Sequence, residues 1–358
     1  MLKFLRLVHP GIWVLWLLCS CSQTRQEYLI VSLNAQNLFD GVHQGGEYKE
    51  FDPSHSDWGP APYWQRLERL ATVLRSVDEK GPDLLVLLEI ENATVLADLV
   101  GRYFSASGYK GYFAGLAGKP PGIGVLTRLP VTSRQQLGVG SRLALRPVLE
   151  LRVKTVEGDL VLFAGHWKSK LGQNKHGIDW GETARRSAAE AVRARAGELL
   201  AAEPELPLIL AGDLNEAVGS ASDALVDADT QAVPSFAGLG VTSVLSDQAM
   251  PRVKNTDLLA GSRWYSPWKQ SGLDGSYYIK GHWEKIDHFL LGGALLQGNA
   301  RLKPSGFGVV RTSTNANGEG RPLRYMPNTK KGFSDHLPIL LRLVPAKEVA
   351  KAPPAKAP

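Results

Sequence analysis

Four short apolar runs in this chain each break off at a single polar residue of a type that does chemistry. Residues 28–33 run into Asn34, 84–88 into Glu89, 160–165 into His166, and 208–212 into Asp213, with Asn215 two residues on. Two further runs begin just after such residues: Asp287 precedes 289–291, and Asp335-His336 precedes 337–343. Runs of this length, rich in Val, Ile and Leu, read as strands. If the last two strands run antiparallel to the first four, all six polar clusters fall on one edge of the sheets. In open α/β architectures, function gathers at such an edge.

The remaining elements suit a mixed-sheet α/β fold. Strands are predicted at 28–33, 84–88, 123–127, 148–153, 160–164, 208–211, 286–291 and 337–343. Helical spacing predicts helices over 62–77, with Leu67, Leu70, Ala71 and Leu74 on one side, and over 92–100 and 182–202. In the last of these, Arg185, Arg186, Arg193 and Arg195 fall largely away from the apolar side, as on a solvated face. Stretches 41–59 and 304–332 are rich in Gly, Asn, Pro and charge and are expected to be irregular. With 358 residues and a hydrophobic share of 44%, a chain that is mainly disordered is excluded. One large α/β domain or two smaller ones fit that length.

Both cysteines precede residue 22, which excludes a disulfide scaffold, a zinc ribbon and a cysteine nucleophile in the folded part. Residues 1–21 have the pattern of an export signal: Lys3 and Arg6, then the apolar run 11–18, too short to span a bilayer. Leu18-Cys19-Ser20-Cys21 resembles a bacterial lipobox with Cys21 as the lipidated residue. The expected organisation is a lipoprotein signal at 1–21, a polar tether at 22–27, a catalytic domain at 28–345 and a disordered Ala/Lys/Pro tail at 346–358. The expected location is the bacterial cell envelope, exported and held to a membrane by the lipid.

Each polar cluster alone has a structural account. Asp-x-Asn after a strand makes turns and caps, and a lone histidine on an apolar strand is commonly a hydrogen-bonded core residue. Together they bring four carboxylates, Glu89, Asp213, Asp287 and Asp335, to one edge. Those groups repel one another and are costly to desolvate without a counterion. With oxygen ligands and no cysteine, Mg²⁺ is the first choice, then Mn²⁺ or Ca²⁺.

The ordered set LNAQN, LLVLLEIEN, GIGVLTRLP, GHWKSK, LAGDLNE, EKIDHFLL and SDHLPI resembles the endonuclease/exonuclease/phosphatase superfamily, whose members include deoxyribonuclease I. The resemblance spans about residues 28–345. Trp64, the run from His166 to Lys170 and the run from Gly275 to Trp283 resemble an exported bacterial branch of it. The resemblance implies a four-layer α/β sandwich, with two mixed sheets face to face and helices outside. It also implies roles. Glu89 resembles the metal-binding glutamate, Asn34 the asparagine that supports metal and phosphate, and Asp335 the carboxylate near the metal. Asp213 resembles the aspartate that orients or deprotonates the attacking water, with Asn215 as its phosphate-holding partner. His336 resembles the histidine on the scissile phosphate, Asp287 the carboxylate that orients it, and His166 a second histidine, a candidate acid for the leaving oxygen. Arg146 resembles an arginine near the site. Lys168 and Lys170, two apart on a strand-like segment, would point the same way and hold flanking phosphates.

Two positions depart from the family pattern. Leu88 stands where glutamine commonly precedes the metal glutamate, and His288 follows Asp287 where Tyr, Gln or Arg is frequent, so substrate contacts there are expected to differ. The formal charge of +6 suits an anionic partner. The leading expectation is a monomeric exported nuclease acting on DNA or RNA. A second is a sphingomyelinase-like phosphoesterase of lipid or inositol phosphates, for which Trp264-Tyr265-Ser266-Pro267-Trp268 would be an aromatic contact segment. A third is a non-catalytic surface-binding lipoprotein.

Overall fold

The apolar runs carry no polar alternation because both of their faces are buried. In the strand at 84–90, Leu84, Val86 and Leu88 pack between two sheets, while Leu85 and Leu87 pack under helices. The computed structural model describes residues 27–116, 119–139, 145–170, 180–216, 264–269, 271–296 and 300–346. The expected signal with Cys21 and nearly all of the tether and tail lie outside those residues.

Among the described residues, thirteen strands and three α-helices follow in order: β1 (Tyr28–Leu38), α1 (Pro60–Arg75), β2 (Leu84–Ile90), α2 (Ala93–Tyr103), β3 (Lys110–Leu116), β4 (Lys119–Thr127), β5 (Val131–Leu137), β6 (Val148–Thr155), β7 (Gly158–His166), α3 (Trp180–Ala202), β8 (Pro207–Asp213), β9 (Tyr277–Ile279), β10 (His282–Glu284), β11 (Asp287–Gly293), β12 (Leu302–Val309) and β13 (Ile339–Pro345). The first large sheet has the order β12-β13-β1-β2-β4-β3, the second β11-β8-β7-β6-β5, and β9 and β10 pair as a separate two-stranded sheet. The apolar core between the two large sheets includes Ile30, Val86, Leu151, Leu162, Ile209, Phe289 and Leu341. Helices α1 and α2 cover the outer face of the first sheet, and α3 that of the second. This is the expected α/β sandwich of two mixed sheets with helices outside.

Topology brings the polar strand ends together. β1 and β2 are parallel, as are β7 and β8. β13 runs antiparallel to β1, and β11 antiparallel to β8. The beginnings of β11 and β13 therefore lie at the same edge as the ends of β1, β2, β7 and β8. In the second sheet the register is strict: His166 pairs with Asp213, and Asp213 with Asp287, across three strands. Two glycines permit this close approach. A Cβ on Gly212, at φ 143°, would sit 1.8 Å from the Gly165 carbonyl oxygen.

All eight predicted strands and three predicted helices are present, with shifted ends. β3, β5, β9, β10 and β12 were not expected. β12 begins before and runs into the stretch 304–332 expected to be irregular, because Pro304 and Gly306 flank a register shift in its pairing with β13. β5 has no buried residue, so no apolar signal marks it. Two expectations about surfaces need correction. Trp264, Tyr265 and Trp268 are buried in the cores and offer no aromatic contact segment. Arg185 on α3 is also buried, where it meets the Glu216 carboxylate at 3.2 Å, so that face is not simply solvated.

Candidate active site

Backbone irregularity at the ends of β1 and β2 aims the first two site residues. Leu88 packs between the sheets and Ile90 under the helices, although strict alternation would put both on one face. A β-bulge lies between them, with Glu89 at φ 57°. The extra residue turns the Glu89 carboxylate out of both cores toward the strand end. β1 is irregular at Gln36 and Asn37, with φ of 51° and 54°. Arg66 of α1 holds this segment by donating to the carbonyl oxygens of Ala35, Gln36 and Asn37, and its guanidinium lies 4.0 Å from the Tyr325 ring centre.

At this edge lies a cavity of about 480 Å³ lined by Asn34, Glu89, His166, Lys170, Asp213, Asn215, Asp335 and His336. Tyr277, Lys280 and Arg324 also line it. The Asn34 amide nitrogen donates to Glu89 Oε1 at 3.2 Å and to Asp213 Oδ2 at 3.1 Å. Its oxygen accepts from the Gln36 backbone N–H at 2.9 Å. Asn34 thus meets the carboxylates with its donor end, orienting them. Asn37 N–H holds the other Glu89 oxygen at 2.9 Å. Asn215 donates its backbone N–H to Asp213 Oδ1 at 3.0 Å and its amide to the Trp167 carbonyl at 3.1 Å.

His336 is fixed on three sides. Its Nδ1 lies 2.8 Å from Asp287 Oδ2, which also accepts from the Ser276 hydroxyl at 2.5 Å. Its ring lies 4.5 Å from that of Tyr277. Its backbone N–H donates to Ser334 Oγ, which in turn donates to the Asn34 carbonyl. Nε2 is left facing the cavity, 3.8 Å from Asp213 Oδ2 and 3.9 Å from Asp335 Oδ1. Burial opposes charge on this ring, but Asp287, Asp213 and Asp335 outweigh it and push the imidazole up to about 10. Burial pushes the Asp213 carboxyl up to about 7, with Asp287 adding and His336 opposing. His166 goes the other way: burial, then the Arg146 guanidinium and His336, hold it well below the ordinary value. Its Nε2 is 3.7 Å from Glu89 and 3.5 Å from Arg146.

The cavity fits a divalent cation. Glu89 Oε1 and Asp213 Oδ2 converge on one neutral amide, the nearby His166 is held uncharged, and Asp335 adds a third carboxylate from the facing loop. Hard oxygen donors around an excess of negative charge are what such an ion binds. Asp213, Asp287 and His336 also bring ligand-capable atoms within 4.8 Å of one another, but Asp287 Oδ2 is already committed to Ser276 and His336. Another group, His43, Glu47 and Asp52, lies in stretch 41–59, where backbone N–H groups of its own loop hold both carboxylates.

The structure does not pair the two lysines. β7 ends at His166, so Lys168 and Lys170 are not on a strand. Lys170 lines the cavity and meets the Glu216 carboxylate at 3.2 Å. Lys168 lines a neighbouring pocket of about 250 Å³ with Arg146 and Lys119. His288 is fully buried, with Nε2 2.8 Å from the Glu216 carbonyl, so it makes no substrate contact. Leu88 is a core residue. Trp64 lies on α1, away from the cavity, under the Arg102 guanidinium. Gln36, Ser276, Tyr277, Ser334 and Arg324 were not singled out individually. Gln36 has the largest positioning role, with its amide oxygen accepting from Tyr325 and Asp335 N–H at 2.8 and 2.9 Å.

Residues 29–233 match the model of the Endonuclease/Exonuclease/phosphatase family. No curated protein matches the chain. Among solved structures, a humanized D. rerio TDP2 is 16% identical, with a TM-score of 0.53 over 88% of this chain and 98% of that one. An endonuclease/exonuclease/phosphatase family protein of Bacteroides thetaiotaomicron is 17% identical, with a TM-score of 0.53 over 90% and 99%. A mannosyl-6-phosphatase of the same organism is 18% identical, with a TM-score of 0.52 over 88% and 99%. These likenesses concern the fold.

Proposed function

The chain belongs to the endonuclease/exonuclease/phosphatase family, and from that premise we propose that it is a divalent-metal-dependent phosphodiester hydrolase acting on nucleic acid. The observation that carries this reading is that His336 Nε2 and Asp213 Oδ2 face one cavity 3.8 Å apart, beside the carboxylates of Glu89 and Asp335. Hydrolysis of a diester needs a positioned water on one side of phosphorus and charge stabilisation around it. Asp213, with a carboxyl near neutrality and Asn215 and Asn34 fixing its two oxygens, is placed to hold that water and take its proton. His336, kept charged by Asp287, donates from Nε2 to a phosphate oxygen. Because His166 is held neutral, the acid role passes from it to His336, and His166 is left to accept or donate a hydrogen bond within the cavity.

Glu89 and Asp335 are the residues that would hold the metal, with Asn34 aligning Glu89. When bound, the cation supplies charge for the non-bridging oxygens, and Mg²⁺ or Mn²⁺ suits these ligands. Because a mannosyl-6-phosphatase shares the fold, a phosphomonoester is the competing substrate class. Supercoiled plasmid with Mg²⁺ tests the choice. Nicking that stops with EDTA and returns with Mg²⁺ or Mn²⁺ is expected. An intact plasmid, beside metal-dependent phosphate release from a sugar or inositol phosphate, would overturn the nuclease reading while keeping the site.

We propose further that the domain at 28–345 is tethered to a cell-envelope membrane through Cys21 and acts as a monomer. Cys21→Ser should move the protein from the membrane to the soluble fraction. Unchanged membrane association would point to an uncleaved anchor.

A further inference from the structure

Part of the cavity wall is built by a hairpin whose tip is unusually specified. β9 and β10 are joined by a two-residue turn, Lys280-Gly281, with φ of 48° and 89°. Two consecutive positive φ values make this the tight hairpin turn that favours Asn or Gly at the first position. Lysine there costs backbone strain, and such outliers gather where a side chain is needed. The hairpin is also stiff. Its outward pair, Tyr278 and Trp283, stack edge to face at 5.2 Å. Arg321 lies 4.5 Å from the Tyr278 ring centre and Arg311 5.3 Å from that of Trp283. The residues of the other face, with Lys280, line the same cavity as His336.

The two lysines of the cavity differ. Lys170 meets Glu216 at 3.2 Å. On the hairpin, Lys280 is exposed and has no ion pair among the described residues. The Glu284 carboxylate is 3.2 Å from His282, and Arg324 is 3.9 Å from Asp335.

We propose that Lys280, held at the rim by this braced turn, binds the phosphate next to the scissile one, so that the site selects an ester carrying consecutive phosphodiesters: a nucleic acid strand. This rests on the nuclease reading and adds to it which part of the rim the strand crosses. A single-phosphate ester seated at His336 has no second phosphate to offer Lys280, whereas each further phosphate of a strand brings a charge that the lysine can neutralise.

The test uses a 12-residue oligothymidylate and bis(p-nitrophenyl) phosphate, assayed with the full chain, Lys280→Gly and Lys280→Arg. Glycine suits the turn at least as well as lysine does, so the variant keeps the hairpin. Expected is a rise of about tenfold in the KM for the 12-mer with Lys280→Gly and kcat within about twofold. The salt dependence of that KM should be shallower by about 0.7 in log–log slope. Lys280→Arg should restore both. An unchanged 12-mer KM and salt slope with Lys280→Gly would overturn this inference alone, as would an equal KM rise on the single-phosphate diester. Wild-type hydrolysis of the small diester with an intact, unbound 12-mer would overturn the nuclease reading and this inference with it.

Discussion

Glu89→Ala should lower metal-dependent turnover by at least about a thousandfold while moving the melting temperature by only a few degrees. The carboxylate reaches the cavity only because the bulge between Leu88 and Ile90 turns it out of both cores, and its two oxygens are aligned by Asn34 and Asn37. What remains of its coordination faces the cavity, where its side chain is 20% exposed. Alanine keeps the bulge, since an L-residue already occupies φ 57° there, so the strain is not increased. The Asn37 N–H that loses its partner lies beside the open cavity and can turn to water, which limits the structural cost. Initial rates at saturating Mg²⁺ and a calorimetric titration of the cation measure the two halves of the effect. A variant with wild-type rate and wild-type cation affinity would remove Glu89 from the metal site.

The architecture was legible because both faces of the central strands are buried. That burial turns β1, β2, β7, β8 and β11 into uninterrupted apolar runs, and a run that stops at Asn34, Glu89, His166 or Asp213 marks where the core stops. The antiparallel return of β11 and β13 was a condition the sequence could only pose, and the pairing of Asp287 with Asp213 meets it. The supporting residues were illegible for the opposite reason. Gln36 acts through partners far away in the chain, reaching Tyr325 289 residues on and Asp335 299 residues on, and Arg66 reaches back about 30 residues to β1. No local period or spacing encodes such contacts. The misread residues share one cause. Arg185, His288 and Trp268 were judged by residue type, but type does not reveal burial when a carboxylate or carbonyl from another segment satisfies the polar group.

Asp287→Asn should abolish most activity and also flatten the dependence of stability on alkaline pH. In the folded metal-free protein His336 is pushed up to about 10, whereas in the unfolded chain it titrates near the ordinary imidazole value of about 6.5. The folded state therefore binds the extra proton between these values. The stabilisation is fully present below about pH 6.5 and is lost as pH rises through about 10. Asp213 complicates the lower range. With its carboxyl raised to about 7, it makes stability fall as pH climbs from about 4 to 7, so the window that isolates His336 lies above 7. Asparagine keeps the shape but removes the charge that holds His336 protonated. The imidazole then sits in a buried site without its main counter-charge and becomes neutral near pH 7. The expected costs are about 3 kcal/mol of stability at pH 7 and about a thousandfold in kcat, because the protonated donor facing the phosphate is lost. Urea unfolding in EDTA from pH 7 to 10.5 would show wild type losing stability along this range and Asp287→Asn nearly level. If both slopes matched, the Asp287–His336 pair would not be the group that stores the proton. If the slope vanished but turnover persisted, His336 would be a structural cation, and the acid would have to be sought at His166.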